Sequence, residues 1–308
     1  MNGLVIRATG SWYRVLCEEG EVFDCRLRGN YRLRGNKQTN PVAVGDRVHF
    51  ELQTDGTGLI AEVDDRRNYI VRRATKLSKQ THVIAANIDL LCVVATLGAP
   101  RTSTGFIDRL LVTAEAYHIP VCLVFNKCDL YDDELNAVQD GLASIYRSAG
   151  YPVVVLSAFT GEGIDKLRPY IEGRTVLFSG HSGVGKSALL NALDPSLQLR
   201  VGEISDWSLK GRHTTTYAEI HPFAGGYLID TPGIKEFGMV DFNVQELSHF
   251  YPEMRAVLPR CRFTNCTHRH EPGCAVKAAV DDGIIDQERY ANYLSIAEQI
   301  ENDNETRS

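Results

Sequence analysis

The stretch TVLFSGHSGVGKS (Thr175–Ser187) constrains this chain more than any other. A β-branched apolar run ends in G-x-x-x-x-G-K-S and passes directly into SALLNAL, which has helical leucine spacing. Strand, glycine-rich turn and helix start in that order form a phosphate-binding loop. The glycines let successive backbone N–H groups turn inward, and the helix N-terminus adds the positive end of its dipole. This reading places Gly180, His181, Ser182, Gly183, Val184, Gly185, Lys186, Ser187 and Ala188 around the phosphates of a nucleotide. Lys186 would reach the β- and γ-phosphates, and Ser187 would give its hydroxyl to Mg²⁺.

A phosphate loop needs a buried parallel strand behind it, and the neighbouring sequence supplies more of them. DLLCVVAT, VCLVFN, PVVVLS, RTVLFSG, YAEIHPF and GYLID are short apolar runs separated by turns and helical patterns. Six strands with intervening helices predict a doubly wound α/β sheet over residues 73–240.

The loops after these strands carry further chemistry. VCLVF runs into NKCD, where Asp129 can accept from the N1–H and exocyclic amine of guanine. Lys127 can lie along the ring, and Asn126 can tie loops together. PVVVL runs into SAFTGEG, where Ser157 and Ala158 can set a backbone N–H against the guanine O6. Adenine matches neither contact. GYLI runs into DTPG, with Asp230 placed for Mg²⁺ and the Gly233 N–H for the γ-phosphate. Between the phosphate loop and DTPG lies KGRHTTTYAEI, from which Thr215, among Thr214–Thr216, is expected to close on Mg²⁺ and the γ-phosphate.

The order is unusual, because the guanine loop precedes the phosphate loop. Counting the phosphate-loop strand as 1, the DTPG strand as 3 and the NKCD strand as 5, the chain runs 4-5-6-1-2-3. That is a cyclic permutation, which is physically cheap where the original termini lie close together on the surface. It puts the γ-phosphate sensor at the C-terminal end of the domain, leading straight into the segment that follows.

The flanks differ from this domain. Residues 1–80 hold 14 Lys or Arg against 10 Asp or Glu, while the remainder holds 19 against 29, within a net charge of −6. A basic N-terminal piece on an acidic protein fits a local polyanion contact. Residues 1–72 read as about five short strands with polar loops, the size of an OB-fold barrel. Arg28, Tyr31, Arg32, Arg34 and Lys37 mix cations with an aromatic ring in one glycine-containing loop, which suits RNA phosphates and bases. A normal solvated surface is the competing reading of the charge, and a disordered surface loop that of the Arg26–Gln38 stretch.

Eight cysteines do not form a disulfide pattern. Cys17, Cys25, Cys92, Cys122 and Cys128 are scattered, several of them in apolar runs. Cys261, Cys266 and Cys274 crowd around His268 and His270 in CRFTNCTHRHEPGC, which suits a closed structural zinc site in a reducing cytoplasm. The spacing alone leaves His268 and His270 as competitors. Residues 241–308 then continue as a mostly helical zinc-binding domain, ending in a tail, DNETRS, expected to fray. No run is apolar enough for a membrane span, and no signal peptide is evident.

A basic barrel, a permuted GTPase and a Cys₃His segment in this order resemble the RsgA/YjeQ family of bacterial ribosome-small-subunit-dependent GTPases. The resemblance covers essentially the whole chain through NKCD, GHSGVGKS, GRHTTT, DTPG and CTHRHEPGC. It implies GTP hydrolysis to GDP stimulated by the 30S subunit, a role in late maturation of that subunit, and 16S rRNA as the main partner of a cytoplasmic monomer. It also implies zinc on Cys261, Cys266, His268 and Cys274, and Mg²⁺ with GTP on Ser187, Thr215 and Asp230. DTPG is followed by Ile234, an aliphatic residue that cannot orient water. His213, onto which the family's switch histidine maps, is the candidate catalytic residue. The alternatives are a permuted GTPase acting on tRNA or another RNA, and a GTP-gated RNA-binding switch in which hydrolysis only times release.

Overall fold

The computed structural model describes residues 1–29, 40–73, 81–199, 218–230 and 242–305. The N-terminal strands are β1 (Asn2–Thr9), β2 (Trp12–Cys17), β3 (Val22–Leu27), β4 (Arg47–Leu52) and β5 (Gly58–Val63). They pair in the order β1-β2-β3-β5-β4, and β4 returns to β1, which closes a barrel. Alternation along each strand sends Val5, Val15, Cys25, Val48, Phe50 and Ile60 inward to one core. Burial pushes the Cys25 thiol up to about 11, so it packs as a small apolar side chain.

A hairpin of β6 (Tyr69–Arg73) and β7 (Thr81–Ala86) follows. The boundary expected at 72/73 falls within β6. The barrel is fastened to this hairpin region by Asp46, whose buried carboxylate accepts from Arg66 at 2.7 and 2.8 Å and from the Ala43 N–H at 2.7 Å.

The central sheet contains β8 (Leu90–Ala95), β9 (Val121–Phe125), β10 (Val153–Val155), β11 (Thr175–Ser179), β12 (Glu219–Phe223) and β13 (Gly226–Asp230). They lie in the order β10-β9-β8-β11-β13-β12. In the permuted count this places strand 1 between strands 4 and 3. All six expected strands are present, with one difference: β12 runs antiparallel to β13. A two-residue Ala224–Gly225 turn joins them, too short for the crossover that a parallel pair requires. The barrel and the sheet are also continuous, since Arg7 of β1 pairs with Glu219 of β12.

The sheet strands are buried on both faces, which explains their unbroken apolar runs. Leu91, Val93, Ala95, Leu123 and Phe125 face α1 (Thr104–Ala116) and α2 (Asp133–Ser148). Leu90, Cys92, Val94, Cys122 and Val124 face α3 (Ile164–Ile171) and α4 (Lys186–Leu193). Helix starts are set by side-chain caps: Ser103 accepts from the Phe106 N–H, and Asp132 from the Leu135 N–H.

The C-terminal segment contains α5 (Val244–Leu247), α6 (Pro252–Arg255), α7 (Ala275–Asp281) and α8 (Gln287–Glu305). The tail expected to fray stays helical as far as Glu305. These elements share a core of Leu247, Tyr251, Met254, Val276, Tyr293 and Ile296, which α1 joins through Val112. No helix among the described residues is long and apolar enough to cross a membrane.

Candidate nucleotide site and metal centre

In an open α/β sheet, ligands bind beyond the carboxyl ends of the strands, and the motif loops all leave from those ends. Thr96–Ser103 follows β8, Asn126–Leu130 follows β9, Ser157–Gly163 follows β10, Gly180–Gly185 follows β11, and Asp230 closes β13.

The Asn126 side chain holds three of these loops together. It is 1% exposed. Its Nδ2 donates to the Val184 carbonyl of the phosphate loop at 2.8 Å, and its Oδ1 accepts from the Ala158 N–H at 2.9 Å. A Cβ on Gly185 would come 2.5 Å from that Nδ2, and Gly185 has φ +92°, so the position requires glycine twice over. Gly180 is similar, with φ +152° and the Val94 carbonyl where a Cβ would stand.

Lys186 donates from Nζ to the Gly180 and His181 carbonyls, each at 2.8 Å. Burial lowers its ammonium to about 8. Ser187 and Ala188 lie in the first turn of α4, while Ser182 and Gly183 are exposed at the loop tip. His181 stacks on Phe106 of α1 with ring centroids 3.8 Å apart and planes inclined by 26°.

In the guanine loop, Lys127 takes the left-handed conformation at φ +68° and donates from Nζ to the Ala99 carbonyl at 3.0 Å. A short 3₁₀ turn, Cys128–Leu130, follows and leaves Asp129 exposed. Ser157 is fully buried, and its Oγ accepts from the Phe159 and Thr160 N–H groups at 3.2 and 3.1 Å. The two amides expected to face O6 both have protein partners. The Ser157 N–H donates to the Glu162 carbonyl at 2.9 Å, and the Ala158 N–H donates to Asn126. The Asp230 side chain is 3% exposed at the end of β13. Thr215, His213 and Gly233 lie outside the described residues, as do Tyr31, Arg32, Arg34 and Lys37. Arg28 is exposed and paired with Glu51 at 2.9 Å.

One contributor had no motif to announce it. The loop after β8 is pinched at its neck, where Thr102 donates its N–H to the Thr96 carbonyl at 2.8 Å and Thr96 Oγ1 bonds the Pro100 carbonyl. It lies against the phosphate loop at Gly183, where a Cβ would stand 3.4 Å from Pro100. Only its position at a strand's carboxyl end could have pointed to it.

The chain matches the RsgA GTPase family model over residues 63–240 and the RsgA N-terminal domain model over residues 2–60. It belongs to the RsgA GTPase family. It is therefore a GTP hydrolase, and a GTPase of this family works on a nucleotide with Mg²⁺. It is 51% identical over 302 residues to the small ribosomal subunit biogenesis GTPase RsgA of Bacteroides fragilis, covering 98% of this chain and 97% of the relative. The protein of that name from Christiangramia forsetii is 47% identical, covering 97% and 96%. The crystal structure of YjeQ from Thermotoga maritima superposes with a TM-score of 0.79 at 37% identity, covering 97% of each chain. YloQ, described as a circularly permuted GTPase, superposes with a TM-score of 0.77 at 30% identity, covering 98% of this chain and 95% of that one. The permuted reading of the motif order thus agrees with a solved relative.

The metal cluster assembles locally. Donor atoms of Cys261, Cys266, His268 and Cys274 lie within 4.8 Å of one another. His268 Nδ1 is 3.7 Å from Cys261 Sγ and 3.4 Å from Cys274 Sγ. A tetrahedron with Zn–S of about 2.3 Å and Zn–N of about 2.0 Å has edges of about 3.5–3.8 Å, so the donors fit such an ion. His268 is 2% exposed, whereas His270 is exposed, which separates the two candidates that spacing left open. Burial lowers the His268 pKa and favours the neutral imidazole. Supporting groups hold the loop: Tyr290 donates to the His268 carbonyl at 2.6 Å and Tyr293 to the Thr267 carbonyl at 2.8 Å. Glu271 accepts from the Thr267, Arg269 and His270 N–H groups.

Proposed function

We propose that this chain binds the 30S ribosomal subunit, acts in its late maturation, and hydrolyses GTP to GDP and phosphate faster on the subunit than alone. The observation that carries the nucleotide half of this reading is the buried Asn126 amide, which joins the guanine, phosphate and Ser157–Ala158 loops at one point. The ribosomal half rests on relatives that share about half of their residues with this chain along nearly its whole length and bear that name.

In this reading Asp129 and the Ser157–Ala158 loop recognise the base, with Lys127 along its face. The amides of Gly180–Gly185 and the Lys186 ammonium stabilise the charge that develops on the phosphates. Mg²⁺ bound with GTP would draw on Ser187, Thr215 and Asp230 and neutralise phosphate charge. The Gly233 N–H senses the γ-phosphate, and His213 places the attacking water in place of the glutamine that Ile234 replaces.

Zinc on Cys261, Cys266, His268 and Cys274 is structural in this proposal, because four protein ligands leave no position for a substrate. Arg28, Tyr31, Arg32, Arg34 and Lys37 contact 16S rRNA from the barrel. The protein acts as a monomer in the cytoplasm, with no membrane role, in keeping with the reduced, buried thiols of Cys17, Cys25, Cys92 and Cys122.

The test is steady-state GTP turnover with and without purified 30S subunits. The expected result is acceleration of about tenfold or more. Equal rates would overturn the ribosomal assignment, and acceleration by tRNA alone would replace it with that substrate.

A further inference from the structure

We propose that Tyr131 is a positioning residue for guanine recognition, its hydroxyl clamping the Thr96–Thr102 loop onto the Asn126–Asp129 loop. The hydroxyl accepts from the Leu97 N–H at 2.8 Å and donates to the Asn126 carbonyl at 3.0 Å. The directions are forced, since the first group has only a proton to offer and the second only lone pairs. One oxygen therefore extends the β8–β9 pairing, whose last backbone bond runs from the Asn126 N–H to the Ala95 carbonyl at 2.9 Å, into the loops beyond it.

The ring is placed for this task. It is half-buried, packs against the core between α1, α2 and the sheet, and lies beside Gly98, where a Cβ would meet its Cε1 at 3.4 Å. Burial raises the phenol above its ordinary pKa, which keeps the donated proton in place. A second tie runs the same way, from Lys127 Nζ to the Ala99 carbonyl.

The consequence falls on Asp129. Among the described residues its carboxylate accepts no hydrogen bond from the protein, so its direction comes from the backbone that carries it. That backbone is the 3₁₀ turn Cys128–Leu130, entered through the left-handed Lys127. The peptide plane from which this turn starts is the one between Asn126 and Lys127, and Tyr131 holds its carbonyl. A two-point contact to N1–H and the exocyclic amine requires the carboxylate to be aimed, and a drift of that plane misaims it. Loss of the hydroxyl should therefore harm recognition of the amine more than binding of the phosphates, because the loop after β11 keeps its own ties, from the Asn126 side chain to the Val184 carbonyl and from Lys186 to the Gly180 and His181 carbonyls.

This inference rests on Asp129 as the base reader, and the test separates the two. Dissociation constants for GDP and for IDP, which lacks the exocyclic amine, are measured on full-length protein and on Tyr131→Phe by displacement of a fluorescent GDP analogue. Wild-type protein should prefer GDP by about 10-fold or more. In Tyr131→Phe, GDP should weaken by about tenfold while IDP changes by less than about threefold, so that the preference contracts. Unchanged preference in the variant, whether both nucleotides bind as before or weaken equally, overturns the positioning role while leaving Asp129 as reader. No preference in wild-type protein overturns the Asp129 assignment and the inference with it. Should Tyr131→Phe not fold, Gly98→Val, which presses on the ring and keeps the hydroxyl, is expected to contract the preference, and its failure to do so counts against the clamp.

Discussion

The Arg289 guanidinium donates to the Asp108 carboxylate across 181 residues of chain, joining α8 of the C-terminal segment to α1 of the GTPase sheet. Both side chains are almost fully buried. Asp108 also accepts from Asn292 at 2.7 Å and from Tyr146 at 3.0 Å, while Arg289 reaches Glu253 at 2.8 Å and lies over the Tyr251 ring at 4.6 Å. The neighbouring turn adds Thr104 to Glu288 at 2.7 Å. The same first turns of α1 carry Phe106, stacked on His181 of the phosphate loop. The C-terminal segment is thus docked beside the candidate nucleotide site by a charge network in which both Asp108 oxygens accept hydrogen bonds.

Removing one partner strands the other in an apolar interface. Asp108→Ala is expected to cost about 3–5 kcal/mol of stability in urea unfolding followed by circular dichroism. Asp108→Leu combined with Arg289→Met removes both charges and should recover much of that loss. A loss below about 1 kcal/mol for the single variant would mean that water reaches the pair.

Lys186, as the proposed phosphate ligand, is expected to make nucleotide affinity depend on pH. Its ordinary value is 10.5, and burial lowers it to about 8 in the protein without nucleotide. Above about 8 the folded protein has released a proton that the unfolded chain still holds, so this group's contribution to stability rises with pH between the two values. A polyphosphate restores the ammonium, so binding takes up a proton in that window. GDP affinity should be flat from about pH 7 to 8 and then fall by up to about tenfold per unit. Calorimetry in buffers of different ionisation enthalpy checks the proton count directly.

Asp129→Asn exchanges an acceptor for a donor at the base edge. The amide can no longer accept from both N1–H and the exocyclic amine, yet its NH₂ matches the carbonyl that xanthine carries in place of the amine. The variant is expected to lose at least about tenfold in GDP affinity and to gain affinity for XDP. Competition of GDP and XDP against one fluorescent nucleotide measures both changes.

The candidate metal centre makes opposite predictions for His268 and His270. His268→Ala should release the bound zinc and loosen α7, whose N-cap is the ligand Cys274. His270→Ala should retain one zinc per chain. Elemental analysis after dialysis against a weak chelator gives the stoichiometry, and retention of zinc by His268→Ala would reassign the ligand.

Much of the fold, and the loops that form the candidate nucleotide site, were legible beforehand because their signals are local. A strand buried on both faces must be apolar throughout, a phosphate loop needs glycines at close approach, and three thiols and an imidazole within fourteen residues can gather at one point. Other features left no such trace. The β12–β13 antiparallel hairpin reads as two ordinary apolar runs, and the choice between His268 and His270 depends on which ring the loop buries.

Sequence alone therefore determined which chemistry the chain carries: the motif residues, their cyclic order, and the strands that present them. Tertiary structure decided how those residues are held. Tyr131 acts on Leu97 and Asn126, Asn126 acts on Val184 and Ala158, and Arg289 acts on Asp108, all but the Tyr131–Asn126 contact across long stretches of chain. A tyrosine hydroxyl or a buried guanidinium has no periodicity and no fixed spacing to its partner. Its meaning arises only when folding removes water and leaves one donor facing one acceptor.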